Sequence, residues 1–157
     1  LWPNCCNNCD FCLRLNRTAY TKEQQLFWID RIKKNIKTID WKNDFPYGIS
    51  ILGGEIYYIT DNELQTAFLD LIDTIIEHVL LPSDNPDCKY SSVTNGIYNP
   101  DFLFKVCDKI KDACGKDAFD INFSYDLKHR YKNEHDRLLT LENINKFHER
   151  YDYQVGV

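Results

Sequence analysis

Short apolar runs alternate with amphipathic segments along most of this chain, and that alternation constrains the fold more than any other feature. The runs that suit buried strands lie at residues 47–52, 88–93 and 119–123. Between them, apolar residues recur at helical spacing. Because strands that alternate with helices are typical of a parallel sheet with right-handed crossovers, the sequence predicts an α/β fold.

The predicted helices carry recognisable start and stop signals. Capping boxes, a proline at a first helical position and a glycine just past a helix end mark their limits. We place four helices, at residues 22–39, from the capping box at Thr60–Glu63 to Pro82, from Pro100 to Gly115, and from about Thr140 onward after a charged loop.

Polar segments follow each predicted strand. Gly53-Gly54-Glu55 follows the first, Thr94-Asn95-Gly96 the second, and Ser124-Tyr125-Asp126 the third. In a parallel array the carboxyl ends of the strands share one rim, so these segments should converge there, together with a cysteine-rich loop near the amino end. Two adjacent glycines allow a close backbone approach, and a glutamate beside them can accept from an ammonium group.

The cysteine-rich loop has four thiols within eight residues, at Cys5, Cys6, Cys9 and Cys12. Cys5, Cys9 and Cys12 form a CxxxCxxC set that can direct three thiolates at one soft metal and leave a coordination position open. Cys6 is interpreted as a bystander, because adjacent side chains point in different directions. A structural zinc site completed by Cys88 or a histidine is the alternative. The other thiols, Cys88, Cys107 and Cys114, are predicted to belong to the core.

Composition narrows the class of protein. A chain of 157 residues suits one domain, and a net charge of −5 without a basic cluster argues against nucleic-acid binding. No apolar run reaches the roughly 18 residues that span a bilayer, and seven cysteines, an odd number, favour reduced thiols over a disulfide framework. We therefore expect a cytoplasmic protein without a membrane partner. The start at Leu1 and a strand-like end at Tyr153–Val157 indicate a fragment of a longer chain.

The CxxxCxxC loop, with Phe11 just before its last cysteine, resembles the cluster loop of the radical S-adenosylmethionine (radical SAM) superfamily. Gly53-Gly54-Glu55 is similar to that superfamily's GGE segment, although Ile56 stands where proline is common. The resemblance implies that residues 1–157 are a core domain with a partial (β/α)6 TIM-like barrel, truncated at both ends and lacking its last strands.

The resemblance also implies a site and an activity. The cysteines at 5, 9 and 12 would bind a 4Fe-4S cluster that cleaves S-adenosylmethionine (SAM) reductively to a 5′-deoxyadenosyl radical, which abstracts hydrogen from an unknown substrate. The remaining implied contacts are with the SAM amino group (Gly53, Gly54, Glu55), the SAM ribose or carboxylate (Ser124, Asp126), the adenine (Phe11) and the substrate (Thr94, Asn95).

The resemblance leaves the partners and two alternatives open. The substrate is a small molecule or a peptide, and an electron donor such as flavodoxin or ferredoxin is implied. One alternative is an activase that places a glycyl radical on a partner protein. The other is a non-catalytic interaction module that a zinc ion or an iron-sulfur cluster stabilises.

Overall fold

A computed structural model describes residues 19–97, 100–125 and 133–152. They contain three parallel strands in the order β1-β2-β3, so each strand pairs with the next one along the chain. The strands are β1 (Gly48–Ile51), β2 (Lys89–Thr94) and β3 (Phe119–Phe123). The helices are α1 (Lys22–Ile36), α2 (Trp41–Asp44), α3 (Asn62–Ile75), α4 (Pro100–Cys114) and α5 (Glu134–Tyr151), with a 3-10 turn at Ile56–Tyr58 and a π-helical turn at Ile76–Leu80 that continues α3.

The (β/α)6 barrel is wrong, although the α/β fold with parallel strands is confirmed. The described residues form a small α/β domain around an open three-stranded sheet. Neighbouring strands rotate by about 20–25°, and a closed barrel needs more strands with a fixed stagger. Three strands therefore remain an open sheet. The strand ends expected at Leu1 and Tyr153 lie outside the described residues.

The local start and stop signals are largely correct. Thr21 Oγ1 accepts from the Gln24 amide at 3.3 Å while Gln24 Oε1 accepts from the Thr21 amide at 2.9 Å, which confirms that capping box. Gly115 ends α4 at φ +95°, and its amide donates to Lys111 O. The cap of α3 is Asp61 and not Thr60, since the Asp61 carboxylate accepts from the amides of the first turn.

Three helices differ from the prediction. α1 ends at Ile36, three residues before the expected end at residue 39. The segment Trp41–Asp44, for which the sequence predicted no element, forms the short helix α2. α5 begins at Glu134, six residues before Thr140, because Asn133 Oδ1 caps it by accepting from the Asp136 amide at 2.8 Å. Charged residues that suggested a loop are thus the first turn of a long helix.

The two faces of the sheet differ in character. The register aligns Tyr90 with Phe119, and these side chains are buried. The neighbouring row, Ser50, Ser91 and Asp120, points to the opposite face, since successive residues of a strand alternate. A hydroxyl–hydroxyl hydrogen bond joins the two serines of that row. The first face is therefore the core face, and the second is polar.

α5 is attached to the core face through aromatic side chains. The ring of Phe147, which is fully buried, lies 6.3 Å from the ring of Phe119 and 5.3 Å from that of Phe123. At the end of the helix, the Tyr151 hydroxyl donates to Asp108 Oδ1 at 2.9 Å, and Arg150 pairs with the same carboxylate at 2.6 Å. These contacts fix α5 against both β3 and α4.

The carboxylate of Asp108 should make α5 docking sensitive to pH. Burial acts to raise the pKa of Asp108, but hydrogen bonds from Arg150 and Tyr151 outweigh it and hold that pKa below its usual range. The pair is partly exposed, so we expect Asp108→Asn to lower the free energy of unfolding at pH 7 by only about 0.5–1 kcal/mol. Urea unfolding measures this difference.

The sign of the pH dependence follows from the lowered pKa. The stabilisation is complete above the unfolded pKa of about 4 and is lost as the pH falls through the folded pKa. The difference in the free energy of unfolding between wild type and Asp108→Asn should therefore narrow as the pH falls through the lowered pKa of Asp108. Asp112→Asn, at an exposed position on α4, is the control and should match wild type at pH 7. If the difference in the free energy of unfolding between wild type and Asp108→Asn did not change with pH, this explanation would be wrong.

Candidate functional site

Polar segments follow the three strands at their shared carboxyl end. We call this region the carboxyl edge, and it comprises Gly53, Gly54 and Glu55 after β1, Thr94, Asn95 and Gly96 at the end of β2, and Ser124 after β3. Hydrogen bonds connect all three segments. The predicted convergence is therefore confirmed for the segments that the structure describes.

Glu55 is the centre of the carboxyl edge, and only 1% of its surface is exposed. Its Oε1 accepts from Thr94 Oγ1 at 2.9 Å and from the Tyr57 amide at 3.3 Å. Its Oε2 accepts from the Asn95 amide at 2.6 Å. Hydrogen bonds to an ionised carboxylate are stronger than those between neutral groups, and they favour the ionised form. Three hydrogen-bond donors therefore face the two carboxyl oxygens of Glu55.

Thr94 joins the three polar segments to one another. Its hydroxyl donates to Glu55 and accepts from the Gly96 amide at 3.2 Å. Its carbonyl accepts from the Ser124 amide at 2.8 Å. Thr94 is 1% exposed, so these contacts are shielded from water. One residue at the end of the central strand thus links the ends of β1 and β3.

The turn after β2 requires glycine. Asn95 Oδ1 accepts from the Ile97 amide at 2.7 Å and closes the turn. Gly96 has φ +78°, in the left-handed region that side chains disfavour. A Cβ at Gly96 would also lie 2.5 Å from Thr140 Cγ2. Both the backbone conformation and the space beside it exclude a larger residue.

Two α5 residues at this edge were missed by sequence reasoning. Thr140 Oγ1 donates to Asn95 O at 3.3 Å, and Asn143 Nδ2 donates to Gly96 O at 2.7 Å. Both side chains are buried, in line with Phe147 and Tyr151. The signal was available, because polar residues three apart continue an aromatic stripe at helical spacing. The sequence pattern predicts that Leu141 and Ile144 share the inward face with Phe147 and Tyr151, but Leu141 and Ile144 are only half-buried.

Tyr57 anchors the turn that presents Glu55. Its ring is fully buried, and its hydroxyl lies 3.1 Å from that of Tyr90 and is hydrogen bonded to the Ser92 hydroxyl. Burial, with a smaller effect of the Tyr90 hydroxyl, raises the pKa of Tyr57 well above its usual value. The hydroxyl is therefore neutral at physiological pH, and Tyr57 acts as a fixed support.

The remaining predicted site residues fall into two groups. Gly53 is exposed, whereas Gly54 and Ser124 are half-buried. Five others lie outside the described residues, so the structure brings nothing to bear on them: Cys5, Cys9, Cys12, Phe11 and Asp126. Within the described ranges, no group of three or more His, Cys, Asp or Glu side chains could hold a metal ion.

The thiols assigned to the core are largely where they were predicted. Cys107 is fully buried, and burial raises the pKa of its thiol well above the usual value. Cys88 is buried directly before β2, where its Sγ lies 3.6 Å from Val79 O. Cys114 is only half-buried. These thiols are free in the structure and belong to the packing of the sheet and helices.

Comparisons with known proteins indicate no function for this chain, so its function is inferred from the carboxyl edge. The sequence matches no protein-family model, and no curated protein or solved structure shows significant similarity to it. In the part of the chain that the structure describes, no helix has the length and apolar character needed to cross a membrane.

Replacing the Glu55 carboxylate by an amide should destabilise the fold. In Glu55→Gln one oxygen becomes an NH₂ group, which then faces either the Asn95 amide or the Tyr57 amide, and both of these are donors. A buried donor without an acceptor costs about 1–3 kcal/mol, so we expect a loss of that size in urea unfolding. Glu149→Gln, at an exposed position on α5, should change stability by less than about 0.5 kcal/mol. Equal stability of the two variants would show that the Glu55 contacts contribute little.

Proposed function

We propose that this chain is a radical SAM enzyme that acts on a small molecule or a peptide. Cys5, Cys9 and Cys12 would hold a 4Fe-4S cluster, and the carboxyl edge would bind SAM. The observation that carries the proposal is the direct hydrogen bonding of the Gly53-Gly54-Glu55 segment to the Thr94-Asn95-Gly96 segment. Two segments that resemble the family at the level of sequence thus meet at the side chain of Glu55.

The residues present suit the proposed cofactors. The Glu55 carboxylate can accept from the ammonium group of SAM, and the exposed Gly53, two residues earlier in the chain, has no side chain to obstruct a ligand. Three thiolates at CxxxCxxC spacing are a donor set that suits iron. The thiolates lie outside the described residues, so their part in the proposal is supported by spacing alone.

Each described residue has a role in binding or orientation. Glu55 would fix the amino end of SAM, and Thr94 and Asn95 would hold the carboxylate of Glu55 in place. The Ser124 side chain, half-buried beside Thr94, would contact the SAM ribose or carboxylate. When bound and reduced by an external electron donor, the cluster and SAM would supply a 5′-deoxyadenosyl radical for hydrogen abstraction.

The burial of Glu55 favours a second candidate function. Because the carboxylate is 1% exposed, a ligand can reach it only if part of its cover is displaced. The same contacts also have a structural use, since Glu55 accepts from the Tyr57 amide as the cap of the 3-10 turn and ties β1 to β2. The second candidate is therefore a non-catalytic module that a metal at the cysteine loop stabilises.

Anaerobic preparation distinguishes the two candidates. As a radical SAM enzyme, the protein should contain about four iron and four sulfide per chain, bleach with dithionite and release 5′-deoxyadenosine from SAM. Cys9→Ala should remove the colour, whereas Cys114→Ala, which alters a thiol outside the loop, should retain it. Colourless protein that holds stoichiometric zinc would support the non-catalytic module and contradict the enzyme.

The role of Glu55 can be separated from its effect on stability. If the carboxylate binds the SAM amino group, Glu55→Gln should keep its iron and raise the Kd for SAM at least about tenfold, or about 1.4 kcal/mol. Isothermal titration calorimetry, at a temperature at which the variant is still folded, measures this affinity, and Glu149→Gln is the control. If Glu55→Gln is destabilised but binds SAM as tightly as wild type, Glu55 has only a structural role.

A further inference from the structure

We infer that Asn143 and Thr140 of α5 are positioning residues that set the affinity of the carboxyl edge for a ligand bearing an ammonium group. Neither residue belongs to a segment that follows a strand. Each is connected to the Glu55 carboxylate through the turn after β2. The inference rests on the proposed function, because the ligand that reports on it is SAM.

The first connection runs through Asn95. The Asn95 amide donates to Glu55 Oε2 at 2.6 Å, and the Asn95 carbonyl accepts from Thr140 Oγ1 at 3.3 Å. The Thr140 hydroxyl has one proton and also lies 3.0 Å from Asp136 O, so it is shared between two carbonyl acceptors. The contribution of Thr140 to holding Asn95 is therefore the smaller of the two.

The second connection runs through Gly96 and Thr94. Asn143 Nδ2 donates to Gly96 O at 2.7 Å, and the Gly96 amide donates to Thr94 Oγ1 at 3.2 Å. Thr94 Oγ1 in turn donates to Glu55 Oε1 at 2.9 Å. Each group in this series uses a distinct donor and acceptor, so all its hydrogen bonds can exist at once. Asn143 thus reaches the carboxylate through Gly96 and Thr94.

The packing around the turn leaves little room for adjustment. Gly96 lies directly against the Thr140 methyl group, where even a Cβ would lie only 2.5 Å away. α5 is itself held by the buried ring of Phe147 against Phe119 and Phe123. Because the helix cannot move freely, a lost hydrogen bond from α5 should loosen the turn and change where the donors to Glu55 lie. A binding site needs its contacting groups held by such supporting contacts.

Binding of SAM to the reconstituted protein tests the inference. We expect Asn143→Leu, which removes the amide but keeps the number and branching of the side-chain heavy atoms, to raise the Kd for SAM roughly tenfold. Thr140→Val should raise it about threefold, and Thr140→Ser, which keeps the hydroxyl, should stay near wild type. Asn145→Ala, at an exposed position on the same helix, is the matched control and should bind as wild type does.

A double-variant cycle separates positioning from general stabilisation. If Asn143 acts through Glu55, the variant with both Asn143→Leu and Glu55→Gln should bind SAM no more weakly than Glu55→Gln alone. If Asn143 only stabilised the fold, the fold-increases in the Kd for SAM caused by the two substitutions would multiply in the double variant. Thermal unfolding of each variant, measured in parallel, ensures that only folded protein is compared.

The outcomes distinguish this inference from the function on which it rests. If the wild-type protein with its cluster binds no SAM, the proposed function fails and the inference fails with it. If the wild type binds SAM and Asn143→Leu binds equally well, or if the losses in the cycle multiply, only the positioning role is overturned. If Asn143→Leu binds SAM about tenfold more weakly and the two losses of affinity in the cycle do not multiply, the result supports both the proposed function and the positioning role.

Discussion

The rest of this structure depends on the hydrogen bonds that the buried carboxylate of Glu55 accepts. A carboxylate removed from water is costly unless donors surround it, and here the donors come from the 3-10 turn and from the end of the neighbouring strand. β2 extends two residues beyond the last paired residue of β1, which places Thr94 and Asn95 beside the chain that leaves β1. The position of Glu55 therefore follows from the register of the parallel sheet.

Because one face of the sheet is apolar, α5 packs on that face, and this packing also brings its earlier turns to the carboxyl edge. Aromatic residues in the last two turns of α5 pack on the core face, which fixes the position of the helix along β3. Thr140 and Asn143 lie one to two turns earlier on the same stripe, and this places them at the carboxyl edge. One helix thus contributes apolar packing at one end and hydrogen bonds to the turn after β2 at the other.

Much of the local structure could be predicted from the sequence, because it depends on neighbouring residues. The three strands, the Thr21 cap and the Gly115 stop all follow from short patterns that the structure confirms. The (β/α)6 barrel was wrong because closure depends on the number and stagger of the strands, which a resemblance in short motifs does not establish. α5 was started too late because its charged first turn has the composition of a loop.

The candidate site was predictable in outline and not in detail. Parallel strand ends share an edge, so the meeting of the Glu55, Thr94 and Ser124 segments followed from topology alone. That Thr94 and Asn95 would donate to Glu55 depends on the sheet register, which the strand patterns leave open. The contribution of Asn143 depends on how α5 is rotated against the sheet. The predicted inward face included Phe147 and Tyr151 correctly, but it placed Ile144 inward where Asn143 is buried.

The most direct test of the central claim is the discrimination between SAM and a desamino analogue of SAM that lacks only the ammonium group. If the Glu55 carboxylate recognises that group, the wild-type protein with its cluster should bind the analogue at least about tenfold more weakly than SAM, and Glu55→Gln should show little preference. An equal preference in wild type and Glu55→Gln would contradict the account, because recognition of the ammonium group would then lie elsewhere.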